Sequence, residues 1–212
     1  ENLGIYTGVE KREGTYWVRT ERGGAAVEFV TDDMLRIKYF LGNDPEMSTT
    51  VAIDPAAAAG GEVQAQLEET EGGVRFRTAS LEVTLDKLGL SMTVRDLSGT
   101  VLAEQKSITF SPDGSAFGVY DMPQDSHFYG LGEKSSFLDK RGERYTNWNT
   151  DVYAPHMPEI EALYESIPLL IHMHGGISCG LFLDNPGRSD FDMRSHGVAF
   201  TVSCTTGSYD LY

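Results

Sequence analysis

The stretch Leu35–Leu41, LRIKYFL, decides the fold through the alternation of its residues. Apolar side chains stand at every second position, and Arg36 and Lys38 separate the first three of them. Successive side chains of a β-strand point to opposite faces of the sheet. The stretch is therefore predicted to form a strand that has one buried face, with the two charged residues on the other side.

The same two-residue period recurs along the rest of the chain, and turn sequences separate the segments. The further alternating segments are Val74–Thr78, Leu81–Leu85, Leu90–Val94 and Val198–Val202. The turn sequences are Glu71–Gly73, Lys87–Gly89, Ser98–Gly99, Pro112–Gly114, His174–Gly176 and Ser195–Gly197. Many short strands separated by such turns indicate an all-β protein, and we predict an antiparallel β-sandwich.

Little of the sequence departs from this pattern. No segment shows sustained helical periodicity, and the best candidates for short helices are Ser135–Asp139 and Pro158–Tyr164. Ala56–Ala59 lies beside a proline and two glycines, which favours a flexible loop. The chain contains no internal repeat.

The composition is that of a globular protein with a strongly acidic surface. Of the 212 residues, 40% are hydrophobic, and the formal net charge is −15. A chain with this charge cannot neutralise phosphates, so neither a nucleic acid nor an anionic membrane is expected as a partner. No apolar run approaches the roughly 20 residues that span a bilayer.

The two cysteines, Cys179 and Cys204, lie among apolar residues of predicted strands. Buried free thiols are the expectation, and a disulfide is the less favoured alternative. No signal peptide is visible, although the chain starts at Glu1 and its natural amino terminus can lie upstream. We therefore expect a cytoplasmic protein.

One connection in the chain is predicted to be functional. Phe128–Asp151, FYGLGEKSSFLDKRGERYTNWNTD, combines a glycine-rich turn, a tip of mixed charge and an aromatic-rich end. A polar connection of this length in a compact domain usually carries function. Aromatic rings alternate with polar side chains at its end and just beyond it: Tyr145, Trp148 and Tyr153 with Asn147, Asn149, Thr150 and Asp151. This mixture suits a sugar, whose C–H faces stack on rings and whose hydroxyls need polar partners, and we predict substrate binding by Trp148, Asn149 and Asp151. For Trp148, anchoring of the loop against another domain is an equal alternative.

The charged tip of this connection has a simpler interpretation. Asp139–Gly142 is predicted to be a hairpin turn held by local ion pairs, with Lys140 in solvent. Arg141 and Arg144 are placed to reach carboxylates across a domain interface, where a guanidinium forms two-pronged hydrogen bonds.

Other motifs do not predict a catalytic or cofactor site. Gly130–Gly132 lacks the third glycine of a dinucleotide-binding turn, and no G-x-S-x-G sequence marks a nucleophilic serine. His172 and His174 share one strand face, as in some metal sites, but no third ligand cluster accompanies them. Packed or surface histidines are therefore favoured. We predict no catalytic residue, no metal ligand and no cofactor within the chain.

Several of these segments resemble glycoside hydrolase family 31. The run GLGE…LDKRG.RY..WN.D within Phe128–Asp151 closely resembles the signature of that family's amino-terminal domain, in the form of its bacterial α-glucosidases. YESIPLLI (Tyr164–Ile171), GLFLDNPGRSDFD (Gly180–Asp192) and the final SYDLY continue the resemblance in the family's order. The resemblance is strong from Phe128 onward and holds only in pattern for the earlier strands.

The resemblance implies a galactose-mutarotase-like supersandwich that forms one amino-terminal domain over residues 1–212. Residues from about 134 to 161 would be its substrate-facing loop, and the catalytic (β/α)8 barrel of the family would be absent from this chain. In the family, the aspartate at the position of Asp151 reaches over the mouth of the barrel and binds substrate hydroxyls. The catalytic aspartates themselves lie on the barrel.

By resemblance, the full-length enzyme would be a retaining α-glucosidase that releases terminal α-linked glucose from oligosaccharides, and this chain alone would be inactive. Its partners would be an α-glucoside oligosaccharide and the missing barrel, and a homo-oligomer is left open. One alternative is a non-catalytic carbohydrate-binding module. The other is a mutarotase-type sugar epimerase, in which His172 or His174 would lie beside Glu165 or Asp184.

Overall fold

The computed structural model describes residues 1–47, 51–54, 63–153, 155–194, 198–205 and 208–212. Within these ranges the chain forms seventeen strands and no helix. The strands are β1 (Tyr6–Arg12), β2 (Thr15–Thr20), β3 (Gly23–Thr31), β4 (Met34–Leu41), β5 (Gln66–Thr70), β6 (Gly73–Arg77), β7 (Leu81–Asp86), β8 (Met92–Asp96), β9 (Val101–Phe110), β10 (Ala116–Asp121), β11 (His127–Gly130), β12 (Arg144–Asn147), β13 (Leu169–His174), β14 (Ile177–Phe182), β15 (Ser189–Asp192), β16 (Ala199–Cys204) and β17 (Tyr209–Leu211). None of the described residues belongs to a helix long and apolar enough to cross a membrane.

In the described part of the chain, these strands form three antiparallel sheets. The first has the order β1-β2-β3-β4-β17, the second β12-β15-β16-β10-β9-β8-β7-β6-β5, and the third β11-β13-β14. Side chains of the first two sheets meet in one continuous core, where the ring centroids of Tyr16 and Phe76 lie 5.1 Å apart. The predicted antiparallel β-sandwich is confirmed.

The strand β4 contains the stretch that predicts the fold, and both of its faces are covered. Ile37 and Tyr39 lie in the core, as predicted. Arg36 and Lys38 are also buried, each 6% exposed, so the expectation of a single buried face is wrong. The cause is Asp210 on the neighbouring strand β17, which pairs with Arg36 at 2.7 Å and lies 3.8 Å from the ammonium of Lys38.

The strand β17 connects the first sheet to the third. Leu211 lies opposite Ile37 of β4 and also forms an isolated bridge with Leu183, just beyond β14. Tyr212 and Phe182 exchange two backbone hydrogen bonds of 2.9 Å. Residue 212 is therefore held against β14.

The predicted turns connect strands wherever the structure describes them. Turns form at 71–73, 87–89, 98–99, 112–114 and 174–176. At Gly73, φ is +144° and a Cβ would lie 2.1 Å from the carbonyl oxygen of Leu85, so only glycine fits. The predicted turn at Ser195–Gly197 and the predicted loop at Ala56–Ala59 lie outside the described residues.

The two short helices expected at Ser135–Asp139 and Pro158–Tyr164 are absent from these described segments, so that prediction is wrong. Ser136 adopts a φ of +78°, a left-handed conformation that interrupts an α-helix. The second segment contains one turn, which the N–H of Ile160 closes by donating to the carbonyl of Met157 (3.1 Å). Beyond that turn, the carbonyls of Glu161 and Leu163 accept hydrogen bonds from Thr146 and Thr150 instead of from residues of the same segment.

Both cysteines are free, as expected, but only one is fully buried. Cys204 is 1% exposed, whereas Cys179 has intermediate exposure. The expectation of a buried thiol is therefore wrong for Cys179. It lies on β14, an outer strand of the third sheet.

We expect maleimide to leave Cys204 unlabelled under native conditions and to label Cys179 slowly. Burial raises the pKa of both thiols, so little reactive thiolate is present at neutral pH. Mass spectrometry of the single variants Cys179→Ser and Cys204→Ser would separate the two rates. Rapid labelling of Cys204 in folded Cys179→Ser protein would contradict the assignment.

Candidate functional site

The predicted substrate-facing loop, residues 134–161, is not one continuous loop. Its middle forms β12, the outer strand of the second sheet, which pairs with β15. Tyr145 and Asn147 on this strand are 1% and 4% exposed. The pairing with β15 therefore divides the segment into two loops, one on each side of β12.

The three predicted substrate-binding residues follow β12 directly and lie at the surface. Trp148 is 53% exposed, and Asn149 and Asp151 are exposed as well. In the described part of the chain, no residue hydrogen-bonds to or forms an ion pair with the side chain of Asn149 or Asp151. Their polar groups are therefore available to a ligand.

Hydrogen bonds hold the backbone beneath these side chains in place. The N–H of Thr146 donates to the carbonyl of Glu161 (2.9 Å), and the N–H of Thr150 donates to the carbonyl of Leu163 (2.8 Å). The hydroxyl of Thr150 donates to the carbonyl of Trp148 (2.8 Å). These hydrogen bonds fix the base of the second loop, beside which the exposed side chains of Trp148, Asn149 and Asp151 lie.

The outer part of the second loop carries exposed apolar side chains and is closed by side-chain hydrogen bonds. Tyr153 is 96% and Met157 54% exposed. The hydroxyl of Tyr164 donates to the carbonyl of Val152 and lies 3.0 Å from Nε2 of His156. Exposed rings beside polar side chains suit the binding of a sugar or of another domain.

The charged tip of the first loop is more buried than predicted. Lys140 is 6% exposed, its ammonium donates to the carbonyl of Phe137 (2.9 Å), and it lies 5.1 Å from the ring centre of Tyr145. The N–H of Lys140 donates to the carbonyl of Phe128 (2.8 Å), which draws the turn against β11. The expectation of a solvated Lys140 is therefore wrong.

Both arginines near the tip bind groups of this domain. The guanidinium of Arg141 donates to the carbonyls of Ser126 (2.7 Å) and Pro123 (3.2 Å). Arg144 pairs with Asp190 at 3.3 Å. These described partners lie within the chain itself, and contacts of the two arginines across a domain interface stay a prediction.

A pocket of about 610 Å³, which the sequence analysis missed, opens beside the tip. It is lined by Gly130, Gly132, Glu133, Lys134, Ser136, Phe137, Leu138 and Lys140. Its entrance turn has φ of +105°, +70° and +75° at residues 130, 131 and 132. The sequence signal for this pocket is the pair Gly130 and Gly132, which Lys134 and Lys140 follow.

The histidines at 172 and 174 pack inside the domain. His172 is 6% exposed, its Nε2 lies 2.8 Å from the hydroxyl of Ser126, and its ring stacks on Phe128 with centroids 4.7 Å apart. Nε2 of His174 lies 3.1 Å from the carbonyl of Leu102. The prediction of packed histidines is confirmed.

A mutarotase-type epimerase needs a histidine and a carboxylate in one cleft. Among the described residues, neither His172 nor His174 hydrogen-bonds to or forms an ion pair with Glu165 or Asp184, and neither histidine lines the pocket. Over the same residues, no group of three His, Cys, Asp or Glu side chains is placed to hold a metal ion. The pairs that the epimerase alternative requires, of either histidine with Glu165 or Asp184, are thus not formed among the described residues.

His172 is expected to make the stability of the domain depend on pH. Burial, and then the neighbouring His174, lowers the pKa of His172 to about 4, below its ordinary 6.5. The folded state disfavours the protonated ring, so its contribution is complete above pH 6.5 and is lost as the pH falls through about 4. Urea midpoints measured from pH 7 to 4 should fall more steeply for the wild type than for His172→Gln. Urea midpoints that fall equally with pH in the wild type and in His172→Gln would contradict this expectation.

Comparison with known proteins gives the family of the chain. A family model described as the glycosyl hydrolase 31 N-terminal galactose mutarotase-like domain matches residues 25–192. Alpha-glucosidase 2 of Bacillus thermoamyloliquefaciens is 34% identical over 202 residues, which are 94% of this chain and 25% of that protein. Alpha-glucosidase of Saccharolobus solfataricus is 37% identical over 67 residues, 32% of this chain and 10% of that protein.

Solved structures share the fold. A Flavobacterium johnsoniae GH31 dextranase complexed with glucose matches with a TM-score of 0.81 at 19% identity, over 100% of this chain and 26% of that one. A glucosidase II alpha subunit matches with a TM-score of 0.75 at 14% identity, over 100% and 32% of the two chains. The chain thus spans about a quarter of the length of the Bacillus relative. On the family match and the 34% identity, the chain belongs to glycoside hydrolase family 31 and represents its amino-terminal galactose mutarotase-like domain.

Proposed function

We propose that this chain is the amino-terminal domain of a retaining α-glucosidase that releases terminal α-linked glucose from oligosaccharides. The domain would support a catalytic (β/α)8 barrel, and residues 134–161 would shape the entrance to its active site. The observation that carries the proposal is the group of Trp148, Asn149 and Asp151, which is exposed beside a hydrogen-bonded backbone and whose polar side chains have no partner among the described residues. The relatives named α-glucosidase support the substrate class.

Each of the three side chains has a distinct part in this proposal. The ring of Trp148 offers a flat apolar face to the C–H groups of a pyranose. The carboxylate of Asp151 can accept hydrogen bonds from two adjacent hydroxyls, and the amide of Asn149 can both donate and accept. None of them acts as the nucleophile or the proton donor, because both of those carboxyl groups would come from the barrel.

A longer gene product that contains residues 1–212, here called the parent chain, provides the direct test. Its purified form should hydrolyse an aryl α-glucoside, and NMR of the first product should show the α-anomer of glucose, as retention requires. Release of the β-anomer, or no hydrolysis of any α-glucoside, would refute the proposed function.

A carbohydrate-binding module remains the second candidate, because Trp148 and Tyr153 are exposed as such modules require. Binding of glycans by the 212-residue chain, together with a parent chain that hydrolyses nothing, would favour it. A cytoplasmic location and self-association stay predictions that no comparison tests.

We expect the 212-residue chain alone to have no glycosidase activity. Glycoside hydrolysis needs two carboxyl groups across the scissile bond, and in the proposed enzyme both lie outside this chain. Incubation with p-nitrophenyl α-glucoside is the measurement, with the parent chain as the positive control. Turnover that rises in proportion to the concentration of the 212-residue chain would overturn this expectation.

A further inference from the structure

We infer that Tyr164 and His156 are positioning residues, which hold the backbone at Val152 and thereby fix the place from which the carboxylate of Asp151 reaches a sugar. This inference rests on the proposed function, in which Asp151 binds substrate hydroxyls. The hydroxyl of Tyr164, the imidazole of His156 and the carbonyl of Val152 are together called the Tyr164 clasp.

Asp151 lies between two residues whose backbone groups bond to consecutive positions of the chain. Before it, the N–H of Thr150 donates to the carbonyl of Leu163 (2.8 Å). After it, the carbonyl of Val152 accepts a hydrogen bond from the hydroxyl of Tyr164. Because both flanking residues are held, the main chain of Asp151 has few conformations left. Its carboxylate is then confined to the positions that the rotamers of its own side chain allow.

The segment that supplies these two partners is itself fixed to the sandwich. Leu163 is 3% exposed, so its buried side chain anchors the segment. Two residues earlier, the carbonyl of Glu161 accepts a hydrogen bond of 2.9 Å from the N–H of Thr146 on β12. Tyr164 is 42% exposed, and its hydroxyl extends from this base to Val152. The Tyr164 clasp thus connects the exposed loop to the outer strand of the second sheet.

The ring of His156 completes the clasp as a hydrogen-bond donor. Its Nε2 lies 3.0 Å from the hydroxyl oxygen of Tyr164 and 3.2 Å from the carbonyl oxygen of Val152. The single hydroxyl proton of Tyr164 is already donated to that carbonyl, so a bare Nε2 would face lone pairs on both oxygens. Nε2 therefore carries a proton, as it does in the neutral Nε2–H tautomer and in the imidazolium.

The loop that the clasp closes buries little apolar surface. Tyr153 is 96% and Met157 54% exposed, and His156 is exposed as well. A loop with few buried contacts opens readily unless hydrogen bonds hold it. The Tyr164 clasp is therefore expected to control the order of residues 151–152, while it contributes little to the stability of the domain.

Tyr164→Phe removes the hydroxyl of the clasp and keeps the ring. In the parent chain it should lower kcat/KM on maltose roughly 5- to 20-fold, because a misplaced binding group loses much of its effect. The loss should stay below that of Asp151→Ala, through which the hydroxyl acts. In the Asp151→Ala background, Tyr164→Phe should therefore change kcat/KM by less than about twofold. Equal losses in the two backgrounds would refute the positioning role.

Two substitutions of His156 separate its hydrogen bond from its bulk. His156→Leu should also lower kcat/KM, whereas His156→Gln should retain the wild-type value, because an amide N–H can replace that of Nε2. Tyr6→Phe is the matched control for Tyr164→Phe. It removes a hydroxyl that donates to Glu69 (2.7 Å) on β5, at the opposite edge of the second sheet from β12, and should leave kcat/KM unchanged. Equal losses in His156→Gln and His156→Leu would contradict the donor role.

NMR relaxation of the 212-residue chain tests the clasp without enzyme activity. The backbone order parameters of Asp151 and Val152 should be about 0.85 in the wild type and below about 0.6 in Tyr164→Phe and His156→Leu. The melting temperature should be the same in all three proteins. Order parameters that do not differ between the wild type and these variants, with an active parent chain, would refute the clasp alone. A parent chain that hydrolyses no α-glucoside would refute the proposed function and the catalytic purpose of the clasp with it.

Discussion

Replacing Asp210 with Ala is expected to lower the free energy of unfolding of the 212-residue chain by about 3–5 kcal/mol. Its carboxylate is 4% exposed and accepts two hydrogen bonds from Arg36, of 2.9 and 2.7 Å. Burial alone would lower the pKa of Arg36, but the hydrogen bond to Asp210 raises it, so the guanidinium stays charged. In the variant, the guanidinium of Arg36 would keep Glu28, which lies 3.3 Å away and is 30% exposed, but it would lose the buried carboxylate that it shares with Lys38.

Asp44→Ala is the matched control for this loss. Asp44 also pairs with arginines, Arg12 and Arg19, but its side chain is 31% exposed, and such surface pairs contribute about 0–1 kcal/mol. Urea unfolding followed by circular dichroism would give both values. Similar losses in the two variants would show that burial does not strengthen the Arg36–Asp210 pair.

A double variant separates the charge from the shape of the site. Arg36→Met combined with Asp210→Leu removes both charges and keeps most of the volume, so it should recover much of the stability that Asp210→Ala loses. A double variant as unstable as Asp210→Ala would mean that the packing of β17, and not the loss of the buried carboxylate beside Arg36, causes the lower stability.

The sandwich could be predicted because alternation reports local structure directly. Ile37 and Tyr39 lie in the core where the two-residue period of β4 places them. What alternation does not report is the cover on the other face. Arg36 and Lys38 are buried because Asp210, more than 170 positions along the chain, sits on the neighbouring strand. The charge of Arg36 and Lys38 predicts that they face solvent. Their partner Asp210 becomes apparent only from the order of the strands in the sheet.

The same limit applies to the tip of the functional segment. The residues around Lys140 are typical of a turn in solvent. Lys140 is nevertheless buried, because its N–H donates a hydrogen bond to the carbonyl of Phe128. Ser135–Asp139 has no helix because Ser136 takes a left-handed conformation, which the sequence does not mark as glycine would. The contact with β11 decides the first outcome, and a local backbone conformation decides the second.

The candidate site shows the opposite case, in which sequence chemistry was informative. Trp148, Asn149 and Asp151 were chosen for their residue types, and all three lie exposed on one stretch of backbone. Their exposure is compatible with a binding role, whereas their contact with a sugar stays a prediction. The pocket beside the charged tip was missed because its lining depends on a turn geometry that residue types alone do not specify.

Asp151→Ala in the parent chain is expected to lower kcat/KM roughly 30- to 160-fold. This corresponds to a loss of about 2–3 kcal/mol of transition-state stabilisation, the scale of a hydrogen bond to a charged group. The carboxylate is exposed and has no partner among the described residues, so its removal should leave the melting temperature unchanged. Asp151→Asn keeps one acceptor oxygen without the charge, so its kcat/KM should lie between those of the wild type and Asp151→Ala.

Glu159→Ala is the matched control, because it removes an exposed carboxylate from the same loop without the neighbouring Trp148 and Asn149. It should retain the wild-type kcat/KM on both maltose and an aryl α-glucoside. Azide should not restore activity to Asp151→Ala, since rescue by a small anion marks a lost nucleophile and Asp151 binds hydroxyls instead. Wild-type kcat/KM in Asp151→Ala on both substrates would remove Asp151 from the binding site and leave the loop a structural role.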